Sequence, residues 1–304
     1  MKNLEIRAAV CSHKGRVRAN NEDNFYFDGS SLRSGKQDQG AYLCRTFSTA
    51  RRLFAICDGM GGIDAGETAS LRAVQSLREF PKGAFRTAPE IAVALQSISD
   101  QISADAEANA RRSGTTIAML SVDGDRACIA NVGDSRVYRL RSGALRQMSL
   151  DHSEVQRLIS AGSLTAEEAR SYPGRHIITQ FLGMPGEIRL APFIETGIPL
   201  APGDVFLLCS DGLTDMVDDR EIHEILCNAP DEKSACRALV EKALSNGGRD
   251  NVTVMVLAAR QISALTARMR TMTPSERIWI AAQAVVGGML TLSILDFLYY
   301  LFSA

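Results

Sequence analysis

Four times in this chain a strand-like apolar run meets a carboxylate at its boundary. Leu53 to Cys57 (LFAIC) runs into Asp58-Gly59-Met60-Gly61-Gly62, and Val205 to Cys209 (VFLLC) into Ser210-Asp211-Gly212, with Asp215 four residues after Asp211. Ala127 to Val132 (ACIANV) runs into Gly133-Asp134-Ser135-Arg136, and Asp250-Asn251 stands directly before Val252 to Leu257 (VTVMVL). A single Asp-Gly is ordinary turn chemistry. Repeated at the ends of buried strands, such carboxylates can converge on one sheet edge, where they would repel unless a cation sat among them. An all-oxygen donor set, with no His or Cys in a zinc-like spacing, favours Mg²⁺, Mn²⁺ or Ca²⁺. Spacing alone leaves open whether the strands are neighbours. The segment Gly15 to Asn24 (GRVRANNEDN) adds Arg16, Arg18, Glu22 and Asp23. It reads either as a solvated loop or as a guanidinium that grips phosphate beside further metal-binding carboxylates.

The elements that would position these residues follow from periodicity. Besides the four runs above, Ile117 to Val122 and Val137 to Leu140 read as strands, and Asp123-Gly124-Asp125 is a tight-turn signal between two of them. Ala65 to Phe80 and Ala88 to Arg111 have helical spacing, with Ile91, Leu95, Ile98 and Ile102 at steps of three and four, and Lys233 to Leu244 reads as a shorter helix. Hairpins together with segregated helices argue for an α+β layered sandwich rather than a doubly wound parallel sheet.

Composition excludes other classes. The chain has 304 residues, 45% apolar and 23% charged, which is globular and neither disordered nor collagen-like. Its 34 basic residues against 35 acidic give a net charge of −1, without the basic excess of a nucleic-acid binder. Seven widely spaced cysteines without a CxxC pair read as reduced thiols of a cytosolic compartment rather than a disulfide framework or zinc site. Met1 to Val10 carries charges at positions 2, 5 and 7 and lacks a signal-peptide core.

The C-terminal end is different. Residues 1–258 read as one domain, 259–277 as a short basic connector, and 278–303 as a transmembrane helix. From Ile278 to Leu295 there is no charge, Arg268, Arg270 and Arg277 precede the run, and no Lys or Arg follows it. Asp296 would lie about 27 Å along a helix from Ile278, at the far interface. Trp279 at one end and Tyr299 and Tyr300 at the other fit an aromatic belt, and the positive-inside rule keeps the domain in the cytoplasm, on a single-pass inner-membrane anchor. The other reading is a hydrophobic helix packed on the domain or on a second copy, which Gln283, Gly287 and Gly288 would suit.

Seven motifs in order now carry a resemblance: VRANNED, DGMGG, SGTT (113–116), NVGDSRVY, ITQFLG (178–183), SDGLTD and GRDNVTV. In content and order they resemble the metal-dependent protein phosphatases of type 2C, the PPM family, in its bacterial branch, over roughly residues 7–258. The resemblance implies a four-layer αββα sandwich of two antiparallel sheets flanked by helices, with metals in a cleft at one end. It implies that Asp58 bridges two ions, Mn²⁺ or Mg²⁺, with Gly59 donating its carbonyl. Asp211 and Asp250 would complete one ion, Glu22 and Asp23 would hold the other chiefly through waters, and Asp134 and Asp215 would be the ligands of a third, looser ion. Arg18, ahead of Arg16, would bind the substrate phosphate. The segment from His152 to Ile178 is similar to the family's mobile flap, with Pro173-Gly174 as a turn near its end.

The implied chemistry is attack on phosphoserine or phosphothreonine by a water that two cations acidify, with no covalent enzyme intermediate. Many eukaryotic members carry a His where Met60 stands, proposed as the general acid. Met cannot donate that proton, which leaves solvent in the metal shell as the preferred donor and His13 or His152 as alternatives. The implied partners are phosphorylated proteins and a cognate Ser/Thr kinase. A phosphatase dedicated to one regulatory partner and a catalytically silent phosphoprotein-binding module are the competing readings; Asp58, Asp211 and Asp250 are all present, which weighs against the second.

Overall fold

The computed structural model describes residues 4–32, 41–61, 65–81, 85–110, 112–169, 172–186 and 188–262. The chain divides into one compact unit, Met1–Arg260, and a second, Gln261–Ala304, of which only the first two residues are described. The expected connector and transmembrane helix therefore lie outside the described residues. Among the described residues no helix is long and apolar enough to cross a membrane.

In chain order the elements are β1 (Leu4–His13), β2 (Asp23–Phe27), β3 (Ala41–Ser48), β4 (Arg52–Gly61), α1 (Ala65–Glu79), α2 (Ala88–Ala108), β5 (Ser113–Thr115), β6 (Ile117–Asp123), β7 (Arg126–Val132), β8 (Arg136–Arg141) and β9 (Ala144–Gln147). They continue with α3 (Glu154–Ser160), α4 (Ala166–Ala169), β10 (Phe193–Pro199), β11 (Val205–Cys209), α5 (Asp211–Thr214), α6 (Asp219–Asn228), α7 (Glu232–Ser245) and β12 (Val252–Gln261). One sheet has the order β3-β1-β12-β11-β8-β9, the other β10-β7-β6-β4-β2, with β5 paired antiparallel to the end of β4. Neighbours such as β11–β12, β11–β8, β4–β6 and β2–β4 are antiparallel.

The apolar runs are continuous because the central strands are covered on both faces. Between the sheets lie Val10, Phe25, Phe54, Ile56, Leu120, Ile129, Phe206, Leu208 and Met255, all buried. Phe27, Phe47 and Phe54 pack edge to face there, with ring centroids 5.4–5.7 Å apart. The alternate residues point outward. Ala55, Cys57 and Met119 meet Ala73, Leu77, Ile91 and Leu95 of α1 and α2, while Leu207, Cys209 and Val254 meet Ile222, Leu239 and Val240 of α6 and α7. This is the expected four-layer arrangement, in which a strand must be apolar at every position. All seven cysteines are free, five of them buried.

Local chemistry sets the boundaries. Thr87 and Glu90 form a capping box at the start of α2, and Asp218 and Glu221 form another at α6. The β6–β7 hairpin turns at Gly124, which takes φ +65° at the first turn position.

The expected flap leaves the sheet as α3, α4 and turns, pinched at a neck. Glu154 N–H donates to the Ile177 carbonyl at 2.9 Å, and Thr179 N–H to the His152 carbonyl at 2.8 Å. His152 fastens this neck to the sheet edge. Its backbone N–H donates to the Gly133 carbonyl at 2.9 Å, its Nδ1 accepts the Gly133 N–H at 3.2 Å, and its Nε2 donates to the Ala191 carbonyl at 3.1 Å. That pattern requires the neutral ring, and burial holds its pKa below the ordinary 6.5. The fastening is therefore complete above pH 6.5 and lost as pH falls through the lowered pKa. Hydrogen-exchange protection at Gly133 and Thr179, corrected for intrinsic rate, should fall between pH 7.5 and 5, while protection in the β6–β7 core stays level. Equal protection at both pH values would remove His152 from that role.

Candidate metal centre

The site is built at one end of the sandwich, where strands from both sheets finish. In the β2–β4 register Asp23 lies directly opposite Asp58. Like charges facing each other across a strand pair destabilise it, so this placement needs support, and the backbone supplies it. Asp58 N–H donates to Thr116 Oγ1 at 3.1 Å, and the Asp58 carbonyl accepts from Thr116 N–H and Thr115 Oγ1, both at 2.8 Å. Thr116 Oγ1 is in turn 2.7 Å from Ser135 Oγ. The SGTT motif is thus a clamp on the backbone of Asp58. Gly59 N–H donates to the Glu22 carbonyl at 3.2 Å, and a β-carbon on Gly59 would collide with the Gly66 carbonyl where α1 begins.

Asp23 is buried beneath this floor. Its Oδ2 accepts from Ser210 Oγ at 2.8 Å and its carboxyl also bonds Thr253. The Thr253 hydroxyl continues to Ser12 at 2.7 Å, and Ser12 receives Asn21 Nδ2 at 2.9 Å. Asn251 staples the loop above: its Nδ2 donates to the Lys14 and Asn20 carbonyls at 2.9 Å each, and its Oδ1 accepts Glu22 N–H at 2.7 Å. A β-carbon on Gly212 would strike the Asn251 carbonyl, so the Asp211 and Asp250 segments are in backbone contact.

The result is an open cavity of about 460 Å³ lined by Arg18, Glu22, Asp58, Gly59, Asp211, Asp215 and Asp250, together with Met60, Arg175, His176, Met216 and Arg249. Seven of the expected site residues therefore share one cavity. Asp23 lies behind it, and Asp134 lines an adjoining groove that shares Asp211 and Asp215. Arg18 Nη2 meets Asp250 Oδ2 at 2.6 Å.

The electrostatics are those of crowded, buried carboxylates, with Arg18 paired to Asp250 at the cavity wall. Burial first, then Asp23, Asp211, Asp134 and Asp250, push the Asp58 carboxyl well above the usual range. Asp23 rises to about 7 and Asp211 to about 6, each chiefly by burial and then by neighbouring acids, and Asp134 rises too. The Asp58 and Asp211 carboxyls lie close enough to act on each other. The Oδ1 atoms of Asp23, Asp134 and Asp211 are buried and have no hydrogen-bond partner. Orphaned buried acceptors are rare and costly. Oxygen donors alone, orphaned and mutually repelling, fit hard divalent cations such as Mg²⁺ or Mn²⁺.

The two histidines expected as alternative proton donors lie elsewhere, because both are committed to backbone. His13 Nδ1 accepts Gly15 N–H at 2.9 Å, and both ring nitrogens of His152 are engaged at the flap neck. The imidazole in the cavity is His176, whose Nδ1 lies 3.3 Å from Asp215 Oδ2. Together with Asp211 these residues offer ligand atoms within 4.8 Å of one another. Sequence spacing misses His176, Asn251, Ser210 and Thr253. Of these only Asn251 and Ser210, adjacent to the acids in GRDNVTV and SDGLTD, carry a signal.

The protein phosphatase 2C family matches residues 18–252 of this chain. The serine/threonine phosphatase stp of Listeria monocytogenes is 34% identical over 260 residues, spanning 83% of this chain and 95% of that protein. The serine/threonine protein phosphatase PstP of Mycobacterium tuberculosis is 36% identical over 258 residues, 83% of this chain and 45% of that one. The solved structure of M. tuberculosis PstP/Ppp superposes with a TM-score of 0.68 at 35% identity, covering 84% of this chain and 98% of that chain. A PstP catalytic domain in complex with two manganese ions superposes with a TM-score of 0.68 at 33% identity, covering 85% and 100%. The chain belongs to the protein phosphatase 2C family. It is a protein serine/threonine phosphatase.

Replacing Asp58 with Asn removes one charge and keeps the shape. An acid whose folded pKa is raised stabilises the fold only at low pH and is a burden once ionised. In EDTA at pH 8 the Asp58→Asn chain should therefore melt about 2–4 °C above the parent, the shift that about 1 kcal/mol gives at this size. Mn²⁺ should raise the parent's melting temperature more than the variant's. A lower melting temperature for the variant in EDTA would contradict the repulsion argument.

Proposed function

We propose that this chain hydrolyses phosphoserine and phosphothreonine on proteins, with Asp58, Asp211, Asp250 and the Gly59 carbonyl holding two Mn²⁺ or Mg²⁺ ions. Glu22 and Asp23 would hold the ion that Asp211 and Asp250 do not complete, chiefly through waters, and Asp134 and Asp215 would be the ligands of a third ion. The observation that carries this reading is the gathering of Asp23, Asp134, Asp211 and Asp250 around Asp58, three of them with a buried carboxylate oxygen that has no partner. When bound, the ions acidify a water and neutralise charge on the phosphoryl group.

The chain's own residues do the rest. Arg18 stands at the cavity wall with its guanidinium half exposed and within reach of Asp250, so it can turn its fork onto two phosphoryl oxygens. The Thr115–Thr116 clamp and the Asn251 staple keep the ligand set fixed, so little reorganisation is needed as charge develops. Nucleophilic cysteine chemistry has no support here. Cys57 and Cys209 are buried on the helix side of their sheets, and burial raises both thiols, Cys209 to about 12. The balance is one water consumed, the phosphorus–oxygen bond to Ser or Thr broken, and inorganic phosphate released.

The kinase that such an enzyme opposes is its natural counterpart. The uncharged run from Ile278, with its preceding arginines, supports placing this activity at the cytoplasmic face of a membrane. The full chain should then sediment with membranes and be released by detergent but not by salt.

Turnover of a phosphothreonine peptide should require Mn²⁺ or Mg²⁺ and stop in excess EDTA. Arg18→Ala should lower kcat/KM about 10- to 100-fold, the loss of a charged hydrogen bond of roughly 1.5–3 kcal/mol. Arg18→Lys should recover only part of it, because an ammonium is not a two-pronged donor. Full activity in EDTA would overturn the metal reading.

A further inference from the structure

A second concavity, about 580 Å³, adjoins the metal cavity and shares Asp211, Asp215, Arg175, His176 and Met216 with it. One wall is the flap, through Ser153, Val155, Gln156 and Ile159, and the other is the turn into α6, through Val217, Asp218, Asp219 and Glu221. Any polypeptide that presents a phosphorylated side chain to Asp58 has a neighbouring stretch of chain to place, and this groove opens directly from that point.

The groove is strongly one-signed. Seven carboxylates line it, against two guanidinium groups and the His176 ring. Several of these acids are already balanced. Asp151 is gripped by Arg136 through three contacts of 2.6–3.1 Å. Glu221 is paired with Lys242 at 2.7 Å, and Asp215 lies against His176. Asp134, Asp211 and Asp215 belong to the metal reading above, which leaves Asp218 and Asp219. Among the described residues neither of these two has a Lys or Arg within ion-pair distance, and Arg220, beside Asp219 in the chain, does not line the groove.

Asp218 and Asp219 are exposed and line the groove. A ligand that suits this arrangement is long, cationic and rich in donors, with an apolar stem to lie along the partly exposed Ile159. That describes an arginine or lysine side chain.

We infer that the groove between the flap and α6 binds a basic side chain close to the phosphorylated residue, so that this phosphatase selects substrates whose phosphothreonine or phosphoserine is flanked by Arg or Lys. The inference rests on the phosphatase reading above and adds its substrate class. Exposed ion pairs are individually weak. The selectivity should therefore be moderate and salt-dependent, distinct from the phosphate grip of Arg18.

The test uses the full chain with Mn²⁺ and three phosphothreonine peptides that carry Arg, Ala or Glu at the same flanking positions, on either side of the phosphothreonine. At low salt kcat/KM should fall in the order Arg, Ala, Glu, with about three- to tenfold between Arg and Ala, as one or two exposed charge pairs allow. The spread should shrink in 0.5 M salt. The variant that probes the groove is the double substitution Asp218→Asn, Asp219→Asn, which removes both charges and keeps an acceptor oxygen at each position. The amide at 218 can still cap α6, and the amide at 219 can still accept the Tyr138 hydroxyl, which Asp219 receives at 3.0 Å. The Arg-to-Ala ratio should drop towards one in that variant. Equal kcat/KM for the three peptides in the parent, or an unchanged ratio in the variant, would overturn the inference while leaving a working phosphatase. No turnover of any peptide would instead overturn the phosphatase reading, and the inference with it.

Discussion

Repulsion among carboxylates is the constraint to which this structure answers. Asp23 faces Asp58 across a strand pair, and Asp211, Asp134 and Asp250 add to the same field. A chain free to relax would spread these groups into solvent. Here they are prevented from doing so by backbone contacts that leave no room for it. The Gly59 and Gly212 segments lie against the Gly66 and Asn251 backbone so closely that a β-carbon would not fit at either place. The acids are in effect part of the main chain, and the strain is held by whatever anchors the main chain.

That anchoring comes from the two sheets. Each central strand is buried on both faces, one in the inter-sheet core and the other under a helix pair. Moving the end of β4 or β11 would mean sliding a strand through a close-packed interior, which costs far more than the repulsion relieves. Polar contacts then finish what packing begins. The hydroxyls of Ser210, Thr253 and Ser12 run from the buried Asp23 into the sheet, and Thr115 and Thr116 hold Asp58 from the other side. Where a hydroxyl reaches, the carboxylate oxygen is satisfied. The orphaned Oδ1 atoms of Asp23, Asp134 and Asp211 are the directions the fold leaves to a cation.

The same division explains what is legible in the sequence. Runs such as LFAIC and VFLLC stand out because strands covered on both faces must be apolar throughout, and the Asp that ends each run marks where cover stops. The helices at 65–79 and 88–108 are readable because their buried stripe has helical period. Strands β1, β2, β3 and β10 escape such a reading. β3 is an edge strand with exposed Cys44, Arg45 and Thr46, and β2 is a strand of only five residues directly after the polar loop that supplies Glu22. α6 hides for a related reason: in ten residues it buries only Ile222 and Leu226. Acids at the strand ends are legible as ligands, but Asp23 reads as a loop residue and is a buried strand residue, because its partners Ser210 and Thr253 are distant in the chain. His176 is invisible on the same ground. Its significance lies in a contact with Asp215, 39 positions away, made only because the flap folds back over α5.

The flap and the turn into α6 differ in kind from the metal floor. Their side chains sit on short helices, α3 burying only Val155, and the neck is closed by a few backbone bonds and one neutral histidine. Such a segment has little packing to lose when its surface residues change. The floor has no such freedom, since each acid is tied to a strand and each strand to two cores. A fold arranged in this way can keep one hydrolytic centre fixed while its rim varies in charge. The exposed Asp218 and Asp219 lie on that rim, lining a groove that leads to the firmly held Asp58 and Asp211. Chemistry and selectivity are thus carried by different layers of the same structure, and a change at the rim can alter what is bound without moving the groups that react.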